Sequence, residues 1–251
     1  MRADYHVHTA FSDDSDYIME KVIRDAIAMG LDEVCFTDHV DYPAYYEAFQ
    51  QLRTRYANQI VLKFGLEFGM QRHTIEKYEK LFVRFPFDFI MLSVHEVEDQ
   101  EFWNQDFQKN RTQQEYIERY YEELLYLVKN YHHYSVLGHM DLITRYDPAG
   151  GYPFDKIKPL LAAILNTVIA DGKGIEVNTS SYRYGLSDLT PSRDILKLYR
   201  ELGGHILTIG SDSHKPEQLG AFIEETKQEL RDLGFKEFCT FHQMQPVYHP
   251  L

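Results

Sequence analysis

The residues best placed to do chemistry come first, in the run Ala3-Asp4-Tyr5-His6-Val7-His8-Thr9. On a strand over residues 3–8, alternate side chains share a face, so His6 and His8 point the same way. Two neutral imidazoles at that spacing can hold one metal ion; the plain alternative is an edge strand carrying two surface histidines. What separates the two readings is recurrence. His39, Glu67, His95, His139 and Asp212 each follow or close an apolar run, and Asp212-Ser213-His214 is the Asp-x-His counterpart of the opening His-x-His. A donor set of imidazole and carboxylate suits Zn, Mn or Fe better than Ca or Mg. Glu67 lies in Gly65-Leu66-Glu67-Phe68-Gly69, where an ionised carboxylate needs a positive partner, such as a pair of ions it could bridge. Asp14 either ligates or caps the first helix, and Asp38 reads as a support for a neighbouring histidine. His73, His132, His133, His205, His242 and His249 lack this placement and read as surface or core residues.

The elements that must position these groups alternate along the chain. Strands are expected over residues 3–8, 33–37, 60–66, 88–94, 135–138, 174–177 and 205–209. Helices are expected between them. The first starts behind the caps in Asp13-Asp14-Ser15-Asp16, carries Ile18, Val22, Ile23, Ala26 and Ile27 at helical spacing, and stops at Gly30. Further helices are expected over residues 43–57, 74–83, 112–131, 155–170, 191–202 and 216–233, the one at 191 opened by proline. A short strand at 237–241 closes the chain. Seven strand–helix units with no linker between them predict one α/β domain over residues 1–251, a parallel sheet closed into a barrel. Such a barrel carries its chemistry at the carboxyl ends of its strands, where these residues fall. The long polar stretch at 96–111, with the single tryptophan Trp103, reads as a lid or binding loop.

Composition excludes several partners. Of 251 residues, 39 are acidic and 26 basic, a formal charge of −13, which argues against nucleic acid and anionic membrane. An anionic substrate would then need bound divalent ions to attract it. Cys35 and Cys239 make no disulfide framework, no apolar run approaches membrane-spanning length, and no secretory signal opens the chain, so a cytoplasmic protein is expected. Oligomeric state is not legible.

Taken together, His6-Val7-His8-Thr9, Thr37-Asp38-His39, Gly65-Leu66-Glu67, Ser93-Val94-His95, Gly138-His139-Met140-Asp141 and Gly210-Ser211-Asp212-Ser213-His214 resemble the polymerase and histidinol phosphatase (PHP) superfamily over nearly the whole chain. Within it, Gly138-His139-Met140-Asp141-Leu142-Ile143 and Glu176-Val177-Asn178-Thr179-Ser180 with Arg183-Tyr184-Gly185 look most like histidinol-phosphate phosphatases. The resemblance implies a distorted (β/α)7 TIM-like barrel and about three divalent transition-metal ions (Zn, Mn or Fe). It implies one ion on His6, His8, Glu67 and Asp212, a second on Glu67, His95 and His139, and a third on Asp14, His39 and His214. Many relatives carry histidine where this chain has Asp14.

The expected reaction is hydrolysis of a small phosphate monoester, L-histidinol phosphate, as a step of histidine biosynthesis. A hydroxide bridging two ions would attack phosphorus in line, with Glu67, Asp212 and His214 as the catalytic ligands. Arg183 and Arg145 are candidate phosphate clamps, because guanidinium meets phosphate in a bidentate way. Ser180 and Trp103 are further candidate substrate contacts, and Glu98, Asp99 or Glu101 could recognise an amino group. The alternatives are another phosphoesterase of the superfamily acting on nucleotides or other small esters, a metal-dependent amidohydrolase, and a catalytically silent metal-stabilised module. Amidohydrolases commonly place a lysine on a middle strand, where this chain has Glu67.

Overall fold

The computed structural model describes residues 1–39 and 43–251. Seven parallel strands form the sheet: β1 (Ala3–Val7), β2 (Glu33–Phe36), β3 (Val61–Gly69), β4 (Phe89–Ser93), β7 (Val136–Leu137), β8 (Gly174–Asn178) and β9 (Leu207–Gly210). They pair in that order, and their near-continuous apolar sequences reflect burial on both faces. The ring closes just beyond the last strand, where Val7 bridges Ser213. His8 N donates to Ser213 O at 2.8 Å, and Ser213 N donates to His6 O at 3.1 Å. This is the barrel expected from the alternation.

The helices pack outside it: α1 (Met19–Met29), α2 (Pro43–Tyr56), α3 (Ile75–Phe82), α4 (Gln113–Asn130), α5 (Phe154–Ala170), the short α6 (Ser180–Arg183), α7 (Arg193–Glu201) and α8 (Ile223–Asp232). Helix α4 starts in a capping box, with Thr112 Oγ1 accepting from Glu115 N and the Glu115 carboxylate accepting from Thr112 N. Gly30 ends α1 in the left-handed region, as its position predicts.

Several boundaries differ from the pattern, each for a local reason. The acidic run at 13–16 caps nothing: Ile18 is the N-cap of α1, makes no side-chain cap bond and is exposed, leaving Asp14 at the barrel mouth. Pro191 does not open α7; it precedes the N-cap Ser192, whose Oγ accepts from Ile195 N. The helix expected at 216–233 is broken after a 3-10 turn, Pro216–Gln218, by left-handed backbone at Gly220 and Phe222. The terminal strand is half of a hairpin, β10 (Glu237–His242) with β11 (Gln245–Pro250). It packs on the barrel, where Tyr5 Oη accepts from Phe241 N at 2.7 Å.

Between β4 and α4 the chain makes a tiny hairpin, β5 (Glu96–Val97) with β6 (Gln100–Glu101), then turns through residues 102–111. Phe102 and Phe107 are buried beneath it, and Gln105 and Gln108 both donate to Tyr146 O. The long polar stretch is therefore a pinned loop with Trp103 turned outward. No helix among the described residues is long and apolar enough to cross a membrane.

Candidate metal centre

The carboxyl ends of the strands open into a cavity of about 670 Å³. His8, Asp14, His39, Glu67, His95, His139, Asp212 and His214 line it, while His6 lies buried beneath them. His8, His39, His95, His139 and Asp212 each follow their strand by one to three residues, and His6 lies within β1. Glu67 does not follow its strand either: β3 runs on to Gly69, in register with Ser93 of β4, so Glu67 sits inside the strand.

Glu67 is the hub. Its Oε2 is 3.1 Å from His6 Nε2, 3.3 Å from His8 Nε2 and 3.6 Å from His39 Nε2. Its Oε1 is 2.9 Å from His139 Nε2 and 3.0 Å from His95 Nε2. Asp212 Oδ1 lies 3.5 Å from His6 Nε2 and 3.7 Å from His8 Nε2. Nearer the mouth, Asp14 Oδ2 is 3.0 Å from His214 Nε2 and 3.9 Å from His39 Nε2. The groupings tight enough to hold an ion include His6, His8 and Asp212; Glu67, His95 and His139; and His8, Asp14 and His214. His39 instead groups with His8 and Glu67, so it stands between the hub and the mouth.

The donor set fits divalent metal. Nε2 of His6 and His8 face each other at 3.0 Å, and Nε2 of His95 and His139 at 3.4 Å. Imidazole nitrogens turned together around a buried carboxylate are ligands for a shared cation. Among the described residues, the ion-pair partners of Glu67 are all histidines.

Without metal, the electrostatics show how strongly these groups are coupled. Burial acts to raise the Glu67 carboxyl, but His6, His95, His39 and His139 outweigh it and hold it well below the usual carboxylate range. Asp212 is held low in the same way, against its burial, chiefly by His6 and His214. Burial opposes charge on His6, but Glu176, Glu67 and Asp212 raise it well above the ordinary histidine value. Burial pushes His8 down to about 3, so it is a neutral donor. Asp14, against partial burial, is lowered to about 2 by His214.

The supporting residues were hardest to see in the sequence. Glu176 is fully buried on β8; Oε1 accepts from His6 Nδ1 at 2.5 Å and Oε2 from His139 N at 2.8 Å. The signal was a carboxylate inside the apolar run Gly174-Ile175-Glu176-Val177. Gly210 matters because a Cβ there would overlap the Cβ of His6 and the carboxylate of Glu176. Asp38 supports rather than ligates: it accepts from Thr9 N at 2.6 Å and from Ser12 Oγ at 2.8 Å, and Ser12 Oγ is 3.2 Å from His8 Nδ1. Asp4 fixes the loop below Asp212 by accepting from Ser211 N at 2.8 Å and Gly220 N at 2.9 Å. Asp212 itself holds φ 56, a left-handed backbone that the surrounding bonds maintain.

The candidate substrate residues separate. Arg145 lines the cavity, stacks over Tyr184 at 4.1 Å and donates from Nη2 to Ser180 Oγ at 2.5 Å. Its Nη2 is also 3.9 Å from Asp212 Oδ2, and its Nε is buried with no partner among the described residues. Ser180 is buried behind Arg145, between it and Asn178, and so faces the arginine instead of the cavity. Arg183 is not among the lining side chains; Nη1 donates to Ser211 O at 2.6 Å and Nη2 to Asp212 O at 2.9 Å. Trp103, half-exposed, and Glu101 also line the cavity, but Glu98 and Asp99 do not. Glu98 pairs with Arg119, and Asp99 with His73 and Gln71. His73, His132, His133, His205, His242 and His249 line none of the cavity.

A family model described as the PHP domain matches residues 4–180, and the chain belongs to that family. It is 30% identical to the histidinol-phosphatase of Lactococcus lactis, over 97% of this chain and 96% of that protein. The crystal structure of histidinol phosphate phosphatase from L. lactis, complexed with Zn, L-histidinol and phosphate, superposes with a TM-score of 0.89 at 30% identity over 98% of both chains. A structure from Listeria monocytogenes, at a TM-score of 0.77 and 18% identity, covers 89% of this chain and 99% of its own, and shares the fold.

Proposed function

We propose that this chain is a metal-dependent phosphomonoesterase that hydrolyses L-histidinol phosphate to L-histidinol and phosphate. One observation carries the reading: a single cavity is lined by the histidine–carboxylate cluster, by Arg145, and by Glu101 with Trp103. These correspond to the three parts of an amino-alcohol phosphate ester: phosphoryl group, ammonium and ring. Near full-length likeness to an enzyme solved with L-histidinol and phosphate supports the same assignment.

His6, His8, Glu67 and Asp212 would hold one ion, Glu67, His95 and His139 a second, and Asp14, His39 and His214 a third. Zn, Mn and Fe all suit such donors. When bound, such ions lower the pKa of water and neutralise phosphoryl oxygens. Glu67, Asp212 and His214 are the reading's catalytic ligands. The rest of the work falls to the chain's other residues. Arg145 faces the phosphoryl group with its guanidinium, held in aim by Ser180 and Tyr184. Arg183 acts through Asp212, whose loop it holds by the carbonyls of Ser211 and Asp212. Glu101, whose Oε2 accepts from Asn104 Nδ2 at 2.6 Å, takes the ammonium, and Trp103 covers the ring. Glu176 holds the proton of His6 on Nδ1 and so leaves Nε2 free to ligate. The two buried free cysteines accord with a reducing, cytoplasmic setting.

The test is a panel of phosphate monoesters with metal-loaded protein: L-histidinol phosphate, a mononucleotide, glycerol phosphate and an aryl phosphate. L-Histidinol phosphate should show the highest kcat/KM by at least tenfold. A mononucleotide that matched it would move the chain to another phosphoesterase activity.

A further inference from the structure

A second cavity, of about 420 Å³, lies directly behind one wall of the first. The 3-10 turn Leu142–Tyr146 divides them: Leu142, Arg145 and Tyr146 face the metal cluster, whereas Thr144 and the preceding Asp141 face the second space. Its size falls within the range of small-molecule pockets. Ile117 and Tyr121 of α4, Ile157 and Leu161 of α5, Leu189 ahead of α7 and Ile195 in its first turn give it apolar walls.

Its charges are one-sided. Asp141, Asp188 and Asp194 line it, and among the described residues no Lys, Arg or His does. Asp188 is answered by Arg193 Nη1 at 2.6 Å and Asp194 by Lys197 Nζ at 3.3 Å. Asp141 is not. It is 2% exposed; Oδ2 accepts from Ser192 N at 2.8 Å, and Oδ1 has no partner among the described residues. The hydroxyl of Tyr152, on the same cavity, is also buried and unmatched. A buried carboxylate oxygen without a donor is costly, and its cost is removed by a ligand that brings N–H groups and positive charge.

We propose that this cavity binds a small organic monocation, a protonated primary amine on an apolar or aromatic body. The ammonium meets Asp141 Oδ1, and the body lies against the apolar walls. The site is separate from the catalytic cavity, and nothing in the phosphatase reading requires it.

Calorimetric titration of the metal-loaded, phosphate-saturated protein with phenethylamine, and with the neutral isostere 2-phenylethanol, tests this without using turnover. The wild type should bind the amine at least tenfold more tightly than the alcohol. Asp141→Asn, which keeps an acceptor for Ser192 N, should abolish that preference. Leu186→Trp, which narrows the cavity and leaves the Asp141 carboxylate in place, should weaken binding of both compounds at least tenfold. Glu101→Gln should leave the titration unchanged, placing the amine outside the catalytic cavity. Should Asp141→Asn fail to fold, the Leu186→Trp titration decides alone. No saturable amine binding by the wild type, or binding undiminished in Leu186→Trp, would overturn the proposal and leave a cleft that holds only water.

Discussion

Glu176→Gln is the most informative single change, because it preserves shape and alters one proton. The glutamate uses both oxygens, Oε1 toward His6 Nδ1 at 2.5 Å and Oε2 toward His139 N at 2.8 Å. A glutamine has one acceptor for these two donors. The backbone N–H of His139 cannot change its nature, so the amide oxygen must turn toward it and the NH2 toward His6. His6 Nδ1 then has to accept, which moves the imidazole proton to Nε2, the nitrogen that faces His8 and Glu67. A nitrogen that carries a proton cannot ligate. Losing one hydrogen bond to a buried charge is worth roughly 1.5–3 kcal/mol. Removing the outer partner of a metal-bound histidine typically lowers metal affinity by about 10–100-fold, or roughly 1.4–2.7 kcal/mol. The two estimates agree, so Zn affinity should fall by one to two orders of magnitude. Competition against a chromophoric chelator measures that fall, and ¹⁵N shifts of the His6 ring in the metal-free protein, taken at a pH above the raised His6 value, report the tautomer. Glu33→Gln is the control: it is a buried carboxylate bonded to Tyr5 Oη, at the opposite end of the barrel, and should leave Zn affinity alone. Wild-type Zn affinity together with wild-type ring shifts in Glu176→Gln would refute the reasoning.

Glu67→Gln should lose metal and activity together, whereas His73→Gln, whose partner is Asp99 at the surface, should lose neither; elemental analysis and turnover on one preparation compare them. Arg145→Lys keeps charge but not the fork, and kcat/KM for L-histidinol phosphate should fall by about tenfold or more, about 1.4 kcal/mol, with metal content intact. Arg183→Ala should also lower kcat/KM and additionally loosen metal, since its two bonds hold the Ser211–Asp212 carbonyls; unchanged metal affinity would show that it acts on phosphate alone. In chelated protein, His6 and His214 have pKa values raised by carboxylate partners. Their stabilisation is complete below the unfolded histidine value near 6.5 and is lost as pH rises through the raised values. The Tm of metal-free protein should therefore decline on the alkaline side, and the gain in Tm on adding Zn should grow with pH, because binding expels the His6 proton. A gain in Tm that shrank with pH would count against a protonated His6.

How much was legible before the structure depends on the range of the interaction that carries it. His6 and His8 share a face because strand side chains alternate, and two residues of sequence suffice to say so. Gly30 ends its helix for an equally local reason, the left-handed backbone it tolerates. Alternating strand and helix patterns imply a parallel sheet because crossover helices must cover both faces. Hence the ligand types, their strand-end placement and the barrel could be read from one chain. Convergence could not be read that way. Glu67 was recognisable as a buried carboxylate, but its reach to five imidazoles depends on the stagger of β3 against its neighbours. Glu176 looked like one more residue of an apolar strand until barrel closure between β9 and β1 brought it against His6. Arg145 and Arg183 are equivalent in sequence, each a few residues past a strand. Only tertiary packing aimed one into the cavity and turned the other onto the backbone of the Asp212 loop. Glu98, Asp99 and Glu101 are neighbours in the chain, yet the β5–β6 hairpin sends one to the cavity and gives the others to Arg119 and His73. Local sequence determines which way a side chain leaves its own strand or helix. Which groups meet is set by strand register and barrel closure, and these join residues as far apart as Asp4 and Gly220.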